Sequence, residues 1–161
     1  MEEDRDGHCT TGATSALNGQ ENANKVEVRF TAYGNPCAKE RPRVANNHAY
    51  TPRKTKEQEE KIAWMYKSVY RSFKFPKGVP LKIEVDMYLA IPASETKKAK
   101  DAMRSGKIRP VKRIIDTDNG VKLVMDALNG VAYEDDSQIV EIVGRKFYSD
   151  VPRTEVCITR L

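Results

Sequence analysis

The feature that most constrains the fold is a run of strict alternation near the middle of the chain. Every odd position from residue 81 to residue 91 is aliphatic or methionine, whereas positions 82, 84 and 86 carry charge. Successive side chains of a β-strand point to opposite faces, so this run predicts a strand with one buried face. The rest of the chain must therefore complete a sheet and cover one side of it.

Three further segments have strand patterns. Residues 26–33 alternate apolar with polar positions, and residues 139–148 and 153–161 are rich in β-branched side chains. Val151 and Pro152 separate the last two segments, which we expect to form a hairpin. Between the first two strands, residues 34–54 contain prolines and turn formers that predict an irregular loop.

Helical patterns lie between these strands. Thr55 and Gln58 form a possible capping box that opens the first helix. Its expected apolar stripe comprises Ile62, Met65, Tyr66, Val69 and Phe73. Ser94 could cap a short helix that ends at Met103. With a third helix after residue 116, the order predicts an α/β (α+β) domain, in which helices pack on a single mixed four-stranded sheet.

Composition indicates the class of protein. At 161 residues, 39% of them hydrophobic, the chain fits one globular domain. It has no apolar run of the ~20 residues that a membrane span needs and no apolar leader, so we expect a cytoplasmic protein without a membrane partner. Residues 1–25 are polar and aperiodic and predict a disordered tail before a domain at 26–161. The three cysteines fit reduced thiols better than disulfides or zinc.

Positive charge is concentrated after the tail. The net charge is +5, and residues 1–25 contribute −3 from five acids and two bases, which leaves +8 for the remainder. Residues 92–113 alone contain eight bases and two acids. Such a run can neutralise phosphates without reading sequence, although it could also be an idle solvated segment.

An acidic stretch, residues 116–138, follows this basic run directly. If Asp118 is the N-cap, then Asp118, Lys122 and Asp126 lie at i, i+4 and i+8 on one polar face of the helix, which Asn129-Gly130 ends. The chain then returns to Asp135 and Asp136. Mg²⁺ prefers hard carboxylate oxygens and retains waters for a phosphate substrate, so the stretch indicates a metal site beside a polyanion. Each acid taken alone could instead be a cap, a surface partner of Lys122 or part of a solvated turn.

The residues of this stretch form a recognisable motif. The pattern Asp116-x-Asp118-Asn119-x-x-Lys122-x-x-x-Asp126-Ala-Leu-Asn-Gly, followed by Tyr133-x-Asp135-Asp136-Ser-Gln, resembles the RusA family of Holliday-junction resolvases. Lys39-x-Arg41-Pro-Arg43, Tyr50-Thr-Pro and Ile91-Pro92 resemble it too, so the resemblance covers about residues 26–161. It implies a small homodimeric endonuclease, often encoded by a prophage, that requires Mg²⁺ (Mn²⁺ can substitute) and cuts four-way DNA junctions by paired symmetric incisions.

The resemblance also implies roles for individual residues. It assigns metal binding to Asp116, Asp118 and Asp136, with Asp126 and Asp135 in support, and a catalytic role to Lys122. Ile114-Ile115 stand where family members commonly have a base or a proline, so Arg113 and Lys112 are the expected contacts to the scissile phosphate. The bases assigned to DNA binding are Lys39, Arg41, Arg43, Arg53, Lys97, Lys98, Lys107, Arg109, Lys112, Arg113 and Lys146.

The sequence is also compatible with two other functions. The protein could be a non-catalytic DNA-binding or accessory module whose acids are structural, or a nuclease for flaps and other branched DNA. No phosphate-binding Gly-rich loop, nucleophile elbow, Cys-x-x-Cys pair or zinc-protease motif is present, which disfavours covalent serine or cysteine catalysis. His48 has no partner in sequence and is not assigned to catalysis.

Overall fold

A computed structural model describes residues 26–40, 43–45, 48–50, 52–111 and 115–161, with only the backbone described at 43–45 and 48–50. The predicted tail at 1–25 lies outside these residues. The strands are β1 (Glu27–Tyr33), β2 (Arg43–Ala45), β3 (His48–Tyr50), β4 (Leu81–Ala90), β5 (Ile139–Ser149) and β6 (Arg153–Arg160). The helices are α1 (Arg53–Tyr70), α2 (Lys97–Arg104) and α3 (Thr117–Leu128). None of these described helices has the length and apolar character needed to cross a bilayer.

The main sheet has four strands in the order β1-β6-β4-β5. β6 is antiparallel to both β1 and β4, and β5 is parallel to β4, so the sheet is mixed. This confirms the predicted α+β fold with one mixed four-stranded sheet. The predicted hairpin of the last two strands is wrong, because β4 lies between β5 and β6. A short connection at Val151-Pro152 does not fix pairing when a third strand offers both edges.

The alternation that predicted β4 is confirmed by burial. Leu81, Ile83, Val85, Met87 and Leu89 are all less than 5% exposed, whereas the intervening positions are half-buried or exposed. β4 is a central strand with a partner on each side. Its buried face packs with α1 and α3 side chains in one continuous core. Burial of this apolar face is the main favourable term in folding a domain of this kind.

Helix α1 begins before the predicted capping box. Pro52 occupies the N-cap position, and the helix starts at Arg53 with no side-chain cap. Proline fits this place because it has no N–H to leave unpaired and its φ is already compatible with a helix start. Thr55 is instead buried, and its hydroxyl accepts a hydrogen bond from the Glu40 N–H at 3.4 Å. The residue predicted as a cap therefore joins α1 to the segment before the β2–β3 hairpin.

The apolar stripe of α1 is shorter than predicted. Ile62 and Tyr66 are buried, but Val69 is 56% exposed. The helix ends at Tyr70, and Arg71 takes a left-handed φ of 54°, so Phe73 lies beyond the helix. The aromatic cluster that results joins α1 to β1 and to the chain after the helix. It contains Phe30, Tyr66, Tyr70, Phe73 and Phe75.

Two other predictions need correction. The proposed irregular loop contains the antiparallel pair β2–β3, whose strands are only two residues apart in sequence, the spacing of a tight hairpin. Helix α2 is capped by Thr96 rather than Ser94, because the Thr96 hydroxyl accepts the Ala99 N–H at 3.3 Å. The bounds of both elements follow local hydrogen bonds that the composition of these segments does not specify.

Helix α3 approaches the sheet closely at two glycines. A Cβ on Gly120 would lie 2.4 Å from the Met87 sulfur in β4. A Cβ on Gly144 of β5 would lie 2.7 Å from a Val121 methyl and 2.9 Å from the Thr117 methyl. Both distances are shorter than van der Waals contact, so a larger side chain at either glycine would require neighbouring side chains or the helix to move. The position of the first turn of α3 therefore depends on these glycines.

Replacing Gly144 with alanine tests this close approach. The added methyl meets two β-branched side chains, which have little rotamer freedom with which to move aside. We expect Gly144→Ala to lower the free energy of unfolding by about 1–3 kcal/mol, the usual cost of overpacking. Urea denaturation of the two proteins measures the difference. An unchanged unfolding midpoint would show that α3 is not held against β5 at this position.

Candidate active site

The first turn of α3 carries two of the predicted metal ligands. Asp116 is at the N-cap position with extended backbone (φ −78°, ψ 132°), and its carboxylate makes no capping hydrogen bond. The predicted N-cap, Asp118, lies inside the first turn instead. The reason is that the Asp116 carbonyl already accepts the Gly120 N–H at 2.9 Å, which closes the first helical turn. Both carboxylates therefore lie at the positive end of the helix dipole.

The side chains assigned to catalysis are without partners. In the described part of the chain, no hydrogen bond or ion pair involves the carboxylates of Asp116, Asp118 or Asp136, or the ammonium of Lys122. Asp116, Asp118 and Lys122 belong to exposed residues, and Asp136 is half-buried. These four charges are free to bind an external ligand.

Asp135, by contrast, has a structural role. It is the N-cap of a 3₁₀ turn, Asp136–Gln138, and its carboxylate accepts the Ser137 N–H at 2.9 Å. Hydrogen bonds from Ser137 hold the pKa of Asp135 below its ordinary value. Gln138 completes the capping box, and its buried amide donates to the carbonyls of Pro76 and Val79 at 2.8 and 3.2 Å. Asp135 therefore fixes the backbone beside Asp136.

Asp126 is also engaged. Its carboxylate accepts a hydrogen bond from the ammonium of Lys39, and its side chain is 23% exposed. The Glu59 carboxylate of α1 lies 3.8 Å from the same ammonium. Burial raises the pKa of Glu59, and Asp126 adds to the rise while Lys39 opposes it. Asp126 is thus a partner of Lys39, and not of Lys122 as its helical spacing suggested.

Sequence reasoning missed Glu59. It lies on α1, far in sequence from both Lys39 and Asp126, and nothing in its local pattern distinguishes it from the neighbouring exposed glutamates. Its Oε1 atom is buried, and no hydrogen-bond partner for it is found among the described residues. Only the packing of α1 on α3 shows that two carboxylates face one lysine.

The chain leading into Asp116 is supported by β5. The ammonium of Lys146 donates to the carbonyl of Ile115 at 3.0 Å, and Arg109 Nε donates to the Lys146 carbonyl at 2.7 Å. The Arg109 guanidinium also lies 3.8 Å above the Phe147 ring, which fits a cation–π contact. Both residues were assigned to DNA binding, and the structure places both of them in contacts that support the backbone beside the site.

Asp136 lies away from Asp116 within one chain. The first turn of α3 rests on Gly144, whereas Asp136 precedes Ile139, where β5 begins. Gly144 follows Ile139 by five strand positions, on the order of 15 Å, so Asp116 and Asp136 lie beside different parts of β5. Burial raises the pKa of the Tyr133 hydroxyl, the charges of Asp136 and Asp126 add to the rise, and this hydroxyl donates to the Met125 carbonyl in the last turn of α3. No group of three metal-ligating side chains is assembled among the residues described.

The remaining bases assigned to DNA are distributed over several segments. Lys97, Lys98 and Lys107 are exposed on α2 and the segment after it. Arg53 is exposed at the start of α1 and pairs with Glu57 at 2.7 Å. Arg41, Lys112 and Arg113 lie outside the described residues, and the side chain of Arg43 is not described.

The raised pKa of Glu59 predicts a pH effect on stability. A carboxyl group with a raised pKa in the folded state stabilises that state most below its ordinary pKa of 4.5, and this contribution is lost as pH rises through the folded value. A glutamine in its place cannot ionise. We therefore expect the stability of Glu59→Gln, relative to the natural protein, to increase between about pH 4 and pH 7. Urea denaturation midpoints of both proteins at about pH 4 and about pH 7 measure this change. A difference in stability that is the same at both pH values would contradict the raised pKa of Glu59.

Comparison with known proteins identifies the family. The family model described as endodeoxyribonuclease RusA matches residues 33–159. A protein of Bacillus subtilis (strain 168), "Uncharacterized protein YqaN", is 39% identical over 137 residues, which cover 81% of this chain and 94% of the relative. The family match includes α3, the 3₁₀ turn and the whole sheet apart from most of β1 and the last residue of β6. The chain therefore belongs to the RusA family of endodeoxyribonucleases.

Proposed function

We propose that this protein is a divalent-metal-dependent endonuclease that cuts four-way DNA junctions as a homodimer in recombination and repair. One observation carries the proposal. The four side chains assigned to catalysis have no partner among the described residues, whereas both supporting aspartates are used in the fold. Neighbouring carboxylates without a counter-charge repel each other, so the unpaired Asp116 and Asp118 favour a ligand-binding site over a solvated patch.

The donor set fits Mg²⁺ or Mn²⁺. Asp116, Asp118 and Asp136 offer only hard carboxylate oxygens, which these ions prefer. When bound, such an ion lowers the pKa of a coordinated water and neutralises charge on the phosphate. Thr117 lies between the first two aspartates in the chain, and its methyl lies close over Gly144, where an added Cβ would be 2.9 Å away, so this part of the site packs on β5.

Lys122 supplies the complementary charge. It lies one helical turn after Asp118, so its exposed ammonium can reach a phosphate oxygen that is held beside the aspartates. A fixed positive charge there stabilises the transition state more than the ground state, because negative charge develops on the phosphate during hydrolysis. Lys122 is therefore the proposed residue for phosphate stabilisation.

The separation of Asp136 from Asp116 supports a site shared between two subunits. In a two-fold dimer, Asp136 of one chain can lie beside Asp116 and Asp118 of the other, and the reciprocal arrangement creates a second site. A four-way junction has two strands to be cut symmetrically, and two such sites match that requirement. The exposed bases Lys97, Lys98 and Lys107 would then bind the DNA arms through their phosphates.

A second candidate is a non-catalytic junction-binding module. The specific observation in its favour is that no three-ligand group is preassembled in the described part of one chain. Under that hypothesis, the unpaired aspartates would be surface charges, neither the natural protein nor the variants would cleave, and their replacement would leave junction binding unchanged. Cleavage assays separate the two functions, and a panel of flaps and three-way branches separates junction resolution from other branched-DNA nuclease activity.

Replacing the proposed ligands tests the catalytic assignment. We expect Asp116→Asn, Asp118→Asn and Asp136→Asn each to lower Mg²⁺-dependent junction cleavage by about a hundredfold or more, as expected for loss of a group that stabilises the reacting charges. Junction binding should persist, because the basic residues that contact phosphates are unchanged. A gel assay with labelled four-way junctions measures both quantities.

The matched control is Glu60→Gln, which removes a carboxylate from the exposed surface of α1, where Glu60 pairs with Lys56. It should cleave like the natural protein. If the natural protein leaves junctions intact in Mg²⁺ and Mn²⁺, or if all three aspartate variants cut normally, the endonuclease assignment is refuted.

A further inference from the structure

Lys39 contacts α3 at two places that lie on either side of Lys122. Its main-chain N–H donates to the Asn119 carbonyl at 3.0 Å, and its ammonium binds the Asp126 carboxylate. Asn119 precedes Lys122 by three residues and Asp126 follows it by four, so all three share one face of the helix. Lys39 therefore lies along the face of α3 that carries the proposed phosphate-binding lysine.

The ion pair of Lys39 replaces one that the helix alone would favour. Lys122 and Asp126 are at i and i+4, the spacing at which opposite charges on a helix attract each other. No ion pair between them is found in the described structure, and Asp126 binds Lys39 instead. The Lys122 ammonium is consequently left without a carboxylate partner among the residues described.

Glu59 strengthens the hold on Lys39. Its Oε1 atom lies 3.8 Å from the Lys39 ammonium and is itself buried. Lys39 thus faces two carboxylates in a part-buried cluster, with its own side chain 24% exposed. Ion pairs in such positions are screened less by water and salt than an exposed pair between Lys122 and Asp126 would be. The competition for Asp126 therefore favours Lys39.

We propose that Lys39 is a positioning residue that keeps Lys122 available to the scissile phosphate by occupying Asp126. This inference rests on the proposed function of Lys122. Lys39 was assigned to DNA binding from the sequence, but in the structure its ammonium is held by protein carboxylates, and its side chain is only 24% exposed. Without Lys39, Asp126 would attract Lys122 and withdraw its charge from the substrate.

The test begins with Lys39→Met, which keeps the apolar part of the side chain and removes the charge. We expect the single-turnover cleavage rate of bound junctions to fall about two- to fivefold, the effect of a competing helical ion pair. The double variant Lys39→Met/Asp126→Asn removes the competing carboxylate and should recover most of the lost rate. Lys39→Arg should cleave close to the natural rate, because its guanidinium can still bind Asp126.

The double variant distinguishes this role from a merely structural one. If Lys39 only anchors the loop after β1, removing Asp126 as well cannot restore cleavage, and an unrecovered rate would overturn the inference. Lys56→Met is the matched control, because Lys56 pairs with Glu60 on the exposed surface of α1 at 3.9 Å. It should leave the rate unchanged.

The role of Lys39 can also be tested without a cleavage assay. A crystal structure of Lys39→Met should place the Lys122 ammonium within hydrogen-bonding distance of Asp126. A Lys122 side chain that remains unpaired in this variant would refute the proposal, whatever the cleavage rate. If the natural protein does not cleave junctions, the proposed function fails, yet the exchange of ion-pair partners can still be seen or refuted in this structure.

Discussion

The close packing of α3 on the sheet is the constraint on which the rest of the site depends. Two glycines, one on the helix and one on β5, allow backbone and side chains to approach more closely than any other residue would permit. This contact fixes the first turn of α3, and Asp116 and Asp118 lie in or directly before that turn. Burial of the apolar face of β4 supplies most of the favourable free energy of folding, and the two glycines allow the close position of α3 on the sheet.

Some charged groups around α3 have protein partners, and others have none in the described part of the chain. Asp126 is neutralised from the loop after β1 by Lys39, and Asp135 is satisfied by the turn that it caps. The Ile115 carbonyl is held by Lys146 from β5. Asp126 and the Ile115 carbonyl are thus held by elements distant in sequence and Asp135 by its own turn, while the proposed site residues have no partners in the described part of the chain. This division explains how a segment so rich in charge can be both a stable helix and a binding surface.

Local patterns in the sequence predicted most of the elements but not how they pair. The alternation at residues 81–91 predicted β4 correctly because side-chain direction depends only on position along the strand. The order of strands in the sheet depends instead on contacts between distant segments. For this reason β5 and β6 were wrongly predicted to pair, although β4 lies between them. Thr55, Ser94 and Asp118 were wrongly assigned as caps, since several polar residues near each helix start were equally suitable. The roles of Lys39, Glu59 and Lys146 arise from tertiary contacts that no local pattern contains.

The proposed function implies that the metal ligands come from two chains, and a purified heterodimer tests this most directly. One subunit carries Asp116→Asn and the other Asp136→Asn, with different affinity tags. A shared site leaves one centre intact, so the heterodimer should nick one strand of a junction at about half the natural incision rate. A heterodimer of Asp116→Asn with Asp118→Asn should remain inactive, because both of its sites are damaged. If the first heterodimer is as inactive as its parent homodimers, the ligands do not come from two subunits in this way.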